Sequence, residues 1–491
     1  MLNQSRVGSR RAFERVTPKG QTWNGRTAAC TNRIAEPVWG MIGFSWGRQE
    51  GKQTNCVQME YQRLMGVILS RPNLLAAYRR VVRNGGAAGV DGVGVGQLAE
   101  YLRTHWPRVR EELLSGTYRP SAVRGVEIPK ASGGVRLLGI PTVMDRLIQQ
   151  AVHQVLGPIW EPEFSPYSYG FRPGRSAAHA LEQATAYLNE GYQDIIDLDL
   201  KSFFDRVNHD KLMGIIRKKI KDVSLLRLIR RFLQSGILLG GVEQAREEGT
   251  PQGGPLSPLL SNILLNEFDQ ELKRRGHRFV RYADDCSIFL RSRAAARRVL
   301  ASITRFLEDD LHLEVNREKT KIVRPVKFVL LGHTFTPTYK RGERATYRLS
   351  IAKKSWDSLK RKIKALTRKT DPVPLTERIA KLNRLMRGWV NYFKRATGYE
   401  KFDQIDGWIR NRLRYCIWKS WKRPRRRYRA FRQLGVSHAW AMRYAWSRKG
   451  GWRLSCSPVM KMTVTEERLR QRGYQSFKDY YHHVRQQDVV P

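Results

Sequence analysis

The spacing of apolar residues changes character along the chain. From about residue 58 to 190, helical periods alternate with loops, and one segment breaks the pattern. VEIPKASGGVRLLGIP (Val126 to Pro141) predicts two strands joined by a Ser-Gly-Gly turn, followed by a helix from Asp145 through Val152. From 191 to 344, strands alternate with helices. DIIDLDL (Asp194 to Leu200) reads as a strand, RFVRYADDCSIFL (Arg278 to Leu290) as two apolar strands around a paired-acid turn, and KFVLLGHTF (Lys327 to Phe335) as a further strand pair. From 345 to 485 the period is helical. Leu359, Ile363 and Leu366 share one face, and Leu382, Leu385, Met386, Trp389 and Phe393 share another, as in a helix-bundle core. Residues 1–57 have no sustained period, which predicts a flexible basic extension, or else an arm that orders on RNA; 486–491 form a tail. The pattern is α+β, and 491 residues suffice for two or more domains.

Charge narrows the choice of partners. Lys and Arg number 90 against 44 Asp and Glu, a formal excess of 46 positive charges. A chain this basic repels itself unless a polyanion compensates, and nucleic acid is the usual one. No apolar run of about 18 residues offers a membrane span, and the first residues lack the apolar stretch of a secretory signal. The five cysteines are scattered without a C-x-x-C pair, so neither a disulfide framework nor a zinc site is expected, and a reducing cytosol fits.

The acidic residues suggest chemistry. Asp284 and Asp285 sit side by side at a tight turn, where Asn-Gly would have avoided their mutual repulsion. In DLDLKSFFD, period-two alternation puts Asp197 and Asp199 on one face of a strand, a place from which acids are depleted. Carboxylates converging from two strand ends can hold two magnesium ions roughly 3.5–4 Å apart, one activating an attacking hydroxyl and one steadying a leaving phosphate. Phosphoryl transfer asks little more of a protein than positioning and charge.

With these residues in view, the chain resembles the group II intron-encoded reverse transcriptases and maturases. YADD (Tyr282 to Asp285), DLDLKSFFD (Asp197 to Asp205) and GTPQGGPLSPLLSNILL (Gly249 to Leu265) carry the resemblance. So do SYGFRPGRSAAHAL (Ser168 to Leu181), LEVNREKTKI (Leu313 to Ile322), FVLLGHTF and LNRLMRGWVNYFK (Leu382 to Lys394), all in the family's order over roughly residues 60 to 485. The resemblance implies a right-hand polymerase: fingers at 58–190, an antiparallel-sheet palm at 191–344, and a helical thumb and maturase domain at 345–485. It implies that Asp199, Asp284 and Asp285 are the catalytic and metal-binding triad for two Mg2+ ions, with Asp197 behind them. Lys130 and Arg136 match the pair that grips the triphosphate, although Leu137 stands where the family has Pro. Phe204 matches the aromatic that rejects a ribose 2′-hydroxyl, Phe203 reads as core, and Asp205 as a helix-start carboxylate. Gln252 matches the residue beside the incoming nucleotide, and Gly253 and Gly254 would let backbone approach the substrate. Either Lys319 or Lys321 would protonate pyrophosphate.

Residues 410–432 contain eleven Lys or Arg, no acid and five aromatics: Tyr415, Trp418, Trp421, Tyr428 and Phe431. Cations interleaved with rings suit phosphates and exposed bases, while the helical alternative packs Trp418 and Trp421 and turns the arginines outward. Expected RNA-binding residues are Lys422, Arg423, Arg425, Arg426 and Arg427, together with Arg172 and Arg175. The partners implied are a group II intron RNA, an RNA template with a DNA primer, dNTPs and target DNA, in a bacterial cytoplasmic ribonucleoprotein. The family's endonuclease cysteine pairs are not in this sequence, so second-strand cleavage is not expected. A retron- or defence-type reverse transcriptase, or a splicing factor with little polymerase role, is the competing reading.

Overall fold

Helices α1 (Arg71–Asn84) and α2 (Leu98–Ser115) lead into β1 (Val123–Pro129) and β2 (Val135–Ile140), the hairpin read from the sequence. The strands pair antiparallel, with Val126 opposite Leu138. The computed structural model describes residues 63–129, 134–339, 345–397 and 399–487, so the 1–57 extension and Lys130 lie outside the described residues. Helix α3 (Val143–Trp160) runs longer than the sequence predicts. Thr142 sets its start: the hydroxyl accepts the Asp145 N–H at 3.1 Å and donates to the Asp145 carboxylate at 2.7 Å. All ten residues from Val143 to Val152 are buried, making α3 the spine of this region.

Helix α4 (Ala177–Asn189) precedes β3 (Asp194–Leu198), and α5 (His209–Lys219) and α6 (Val223–Gln234) precede a short hairpin of β4 (Ile237–Leu239) and β5 (Val242–Gln244). Strand β4 pairs in parallel with β1, giving a first sheet of order β2-β1-β4-β5. This sheet draws strands from both sides of residue 190. The cause is a long-range pairing that periodicity cannot reveal.

Helix α7 (Ser257–Arg274), β6 (Arg278–Tyr282), β7 (Asp285–Leu290), α8 (Arg293–Arg305) and β8 (Lys321–Val323) complete the central sheet. Its order is β6-β7-β3-β8 and every pairing is antiparallel. Ile195 and Phe289 face α4, where Ala180, Leu181, Ala184 and Leu188 pack into the same cluster. Their neighbours Ile196 and Ile288 are equally buried on the other face. With both faces covered the strand interiors are largely apolar, which makes acids at their ends conspicuous. The predicted strand pair at 327–335 forms β9 (Val329–Leu330) and β10 (His333–Thr338), joined by β11 (Thr346–Ile351) in a third sheet. Phe328 sits edge-on to Phe289 and stacks on Phe335, fastening this sheet to the central one.

Beyond it lie α9 (Lys353–Leu366), α10 (Leu375–Phe393), α11 (Tyr399–Ser420), α12 (Pro424–Gln433), four short helices, and α13 (Phe477–Gln487). They share one apolar core, including Leu359, Ile363, Leu382, Met386, Phe393 and Trp418, with Leu366, Leu385 and Trp389 packed at its margin. Both predicted apolar faces are found there. The fold is α+β, with largely antiparallel sheets followed by a helical C-terminal region.

Candidate active site

The open end of the central sheet is where the acids meet. Leu198 pairs with Cys286 and Tyr282 with Asp285. Continuing the antiparallel register by one residue puts Asp199, just past β3, opposite Asp285 at the start of β7. Asp284 occupies the turn between β6 and β7. The residue before it, Ala283, is held at φ +59°, a left-handed conformation unusual for a residue with a Cβ.

Electrostatics agrees with this convergence. Burial raises Asp285 to about 6, and repulsion from Asp284, Asp197 and Asp199 adds to it. Asp197 is also raised to about 6, by burial and then by Asp199, with Lys321 opposing. Burial raises Asp284 too, while the Arg136 guanidinium pulls it down and Asp199 pushes it up. Lys319 Nζ lies 3.3 Å from Asp199 Oδ2, although that buried oxygen accepts no hydrogen bond. The segment carrying Lys319 is strapped beside Asp199, whose carbonyl accepts the Asn316 N–H at 2.9 Å and whose N–H donates to Thr320 Oγ1 at 3.2 Å. The structure thus separates the two lysines: Lys319 stands at Asp199, whereas Lys321 pairs with Asp197 across β3 and β8.

Among the described residues, no three acidic, imidazole or thiol groups stand close enough to form a ready cation cage. The donor set nonetheless fits a hard divalent cation. It consists of oxygen ligands only, one of them a buried oxygen without a hydrogen-bond donor, and burial and neighbouring acids push Asp284 and Asp285 above the ordinary carboxylate range.

Arg136 connects the acids to other predicted residues. Arg136, on β2, donates through Nε to Gln252 Oε1, and Gln252 Nε2 lies 3.4 Å from Asp205 Oδ1. Phe203 is buried in the core, as expected, and sits edge-on to a half-buried Phe204. The Phe204 carbonyl accepts the Thr250 N–H, which seats the 249–254 loop beside it. Gly253 is also required by the fold itself. Its φ is +138°, and a Cβ there would lie 2.5 Å from the Gly139 carbonyl oxygen of β2. One close approach at this glycine is to protein backbone. At Gly254 the corresponding space holds the Gln149 side chain.

Arg172 is a correction. Its side chain is buried and donates to the Glu161 carboxylate at 2.7 Å and to the carbonyls of Ser165 and Ser168, which leaves it fastening a loop, with no exposed face for RNA. Arg175 stays exposed beside the Tyr169 ring. In the basic segment, Lys422, Arg423, Arg425 and Arg426 are exposed. Arg427 is corrected in part: its guanidinium lies 4.4 Å over the Trp418 ring, and Nε donates to the Trp421 carbonyl. The five aromatics pack against the helical core and are not a base-stacking row. Exposed rings occur further on, at Trp440, Trp446 and Trp452, and the signal for them in the sequence is the aromatic and basic run HAWAMRYAWSRKGGWR.

Comparison with known proteins accords with this site. Residues 128–335 match the family described as reverse transcriptase (RNA-dependent DNA polymerase), and residues 356–435 match the group II intron maturase-specific domain. Both matches fall on one chain, which belongs to the group II intron-encoded reverse transcriptase and maturase family. It is 36% identical over 317 residues to protein YkfC of Escherichia coli (strain K12), covering 56% of this chain and 83% of that one. It is 40% identical over 207 residues to the group II intron-encoded protein LtrA of Lactococcus lactis subsp. cremoris, covering 41% of this chain but only 34% of LtrA. The retron Mx65 reverse transcriptase of Myxococcus xanthus is 32% identical over 244 residues, 48% of this chain and 53% of its own. The maturase-specific match at 356–435 favours the group II reading over the retron one.

Proposed function

We propose that this chain copies RNA into DNA by two-metal phosphoryl transfer, and that it also grips the structured intron RNA it serves. The observation that carries the first part is the register placing Asp199 against Asp285, with Asp284 in the adjoining turn. Asp199, Asp284 and Asp285 would hold two magnesium ions, which when bound activate the primer hydroxyl and stabilise the departing pyrophosphate. Arg136 faces the site from β2 and exchanges Gln252 for the triphosphate of an incoming dNTP, a task suited to its planar fork. Lys319 is the better placed lysine to deliver a proton to pyrophosphate. Residues 58–190, 191–344 and 345–485 serve as fingers, palm and thumb, with the β4–β5 hairpin lent by the palm segment to the fingers. The template-primer lies between these regions, target DNA is the substrate for insertion, and the particle works as a cytoplasmic ribonucleoprotein. Among the described residues, no helix is long and apolar enough to cross a membrane.

Phe204, which is half-buried, would be the residue that excludes a 2′-hydroxyl. Phe204→Ala is expected to lower discrimination against ribonucleotides by about tenfold or more, the scale on which a pocket rejects one extra group. Competitive single-nucleotide incorporation reads this directly. Unchanged discrimination would make Phe204 a packing residue.

The RNA-gripping part is tested on the side chains that remain exposed. Replacing Lys422, Arg425 and Arg426 with Ala spares Arg427 and its packing on Trp418. For every phosphate that is no longer neutralised, the log–log salt slope for intron RNA should fall by up to about 0.9. Splicing assistance should fall more than synthesis on a short primer-template. Equal losses in the two assays across a salt series would assign the cluster to general template grip.

A further inference from the structure

Strand β6 carries a fully buried charge within the central sheet. The Arg281 side chain is fully buried, and so is that of its partner Asp269 on α7. The pair is bidentate, Nε to Oδ1 at 2.7 Å and Nη2 to Oδ2 at 2.6 Å. The remaining nitrogen, Nη1, donates to Asn262 Oδ1 at 3.0 Å and to the carbonyl of Ala283 at 2.8 Å. Asn262 in turn donates to the Gly170 carbonyl at 2.9 Å. Gly170 lies against the acidic turn so closely that a Cβ on it would sit 2.3 Å from the Ala283 nitrogen. Two contacts of this cluster thus reach Ala283, the residue that precedes Asp284: the Nη1 bond to its carbonyl and the close approach of Gly170 to its nitrogen.

We infer that Arg281, clamped by Asp269 and Asn262, is a positioning residue that keeps Ala283 left-handed and thereby aims Asp284 and Asp285. The inference rests on reading those two carboxylates as ion-binding groups. A buried ion pair kept only for stability can often be exchanged for apolar residues of similar volume without loss. This one has a second attachment, to the backbone of a turn whose conformation an L residue adopts only when its surroundings hold it there. An apolar replacement would fill the space yet leave the Ala283 carbonyl without its donor, and the turn free to relax.

The test uses the full chain with the double variant Arg281→Met/Asp269→Leu. Three quantities are measured: the melting temperature, the affinity for Mn2+ alone, and kcat and dNTP KM on a primed RNA template. The double variant should melt near the wild type. Its Mn2+ affinity and kcat should each fall by about 10–100-fold, the usual effect of losing a group that orients metal ligands, with dNTP KM within about twofold. A double variant that melts like the wild type and keeps its Mn2+ affinity and kcat would overturn the inference and make the pair core packing. Should the double variant fail to fold, Arg281→Lys carries the same comparison, because it retains the charge opposite Asp269 but not the fork that reaches Ala283 as well. Folded Arg281→Lys with wild-type Mn2+ affinity overturns the inference; lowered affinity supports it. Asp284→Asn serves as the control on the underlying reading. If that variant binds Mn2+ and synthesises DNA normally, the carboxylate assignment itself has failed, whatever Arg281 does.

Discussion

Asp284→Asn is expected to reduce DNA synthesis on a primed RNA template by about 10^3-fold or more, roughly 4 kcal/mol of transition-state stabilisation. The substitution keeps the shape of the side chain and removes the charge that would meet a cation. Binding to intron RNA should stay within about twofold, because it depends on basic surface elsewhere in the chain. The fold should not suffer. Burial raises the Asp284 carboxyl above its ordinary value, so the folded protein binds that proton more tightly than the unfolded chain does. Such a group stabilises the fold when protonated, and that contribution is lost as the pH rises through its folded pKa. A neutral amide at this position should therefore leave the melting temperature at neutral pH equal or higher. Primer extension, filter binding and a thermal melt on one preparation check all three statements. Equal loss of RNA binding would mean that the variant is damaged more widely.

The second large effect is expected at Gly253. Its φ of +138° is closed to other residues, and a Cβ would press to 2.5 Å from the Gly139 carbonyl, a backbone atom within β2. The neighbour cannot turn aside as a flexible side chain would. The Gly139 N–H also donates to the Gln252 carbonyl at 2.9 Å, so the 252–253 turn and the strand bearing Arg136 are joined at this point. Gly253→Ala should part them, displacing Arg136 relative to the acids. The expected result is a dNTP KM raised at least about tenfold and kcat/KM lowered about 10^2-fold, the scale on which a misplacement of about 1 Å acts. Gly214→Ala, in the interior of α5 with nothing within 4 Å of the added Cβ, is the matched control and should leave both constants unchanged. Steady-state dNTP titration separates the two variants.

What the sequence disclosed was local. The paired acids lie between two apolar runs, and DLDL alternates over a few residues, so period and turn chemistry marked Asp197, Asp199, Asp284 and Asp285 as unusual, and the family resemblance then singled out Asp199, Asp284 and Asp285. The β1–β2 hairpin was legible for the same reason. Long-range pairing was not. Strands β4 and β5 join β1 across more than a hundred residues, and three-residue strands leave almost no period. Charge was misleading wherever burial decided its meaning. Arg172 looked like a nucleic-acid contact in GFRPGR, yet its acceptors are Glu161 and two carbonyls. Arg281 gave no signal in RFVRYADD because Asp269, which makes its burial tolerable, lies on a helix twelve residues earlier. In the 410–432 segment the aromatics recur near the helical period and turn inward with it, so composition suggested stacking where packing prevails.

The central claim is that this chain carries out template-directed DNA synthesis from the acidic end of its central sheet. The most direct measurement is extension of a DNA primer on a defined RNA template with dNTPs and Mg2+, using purified wild type and Asp284→Asn side by side. The account predicts full-length complementary DNA from the wild type, and product from the variant lower by about 10^3-fold at equal RNA binding. No product from the wild type, or equal product from both proteins, would contradict it.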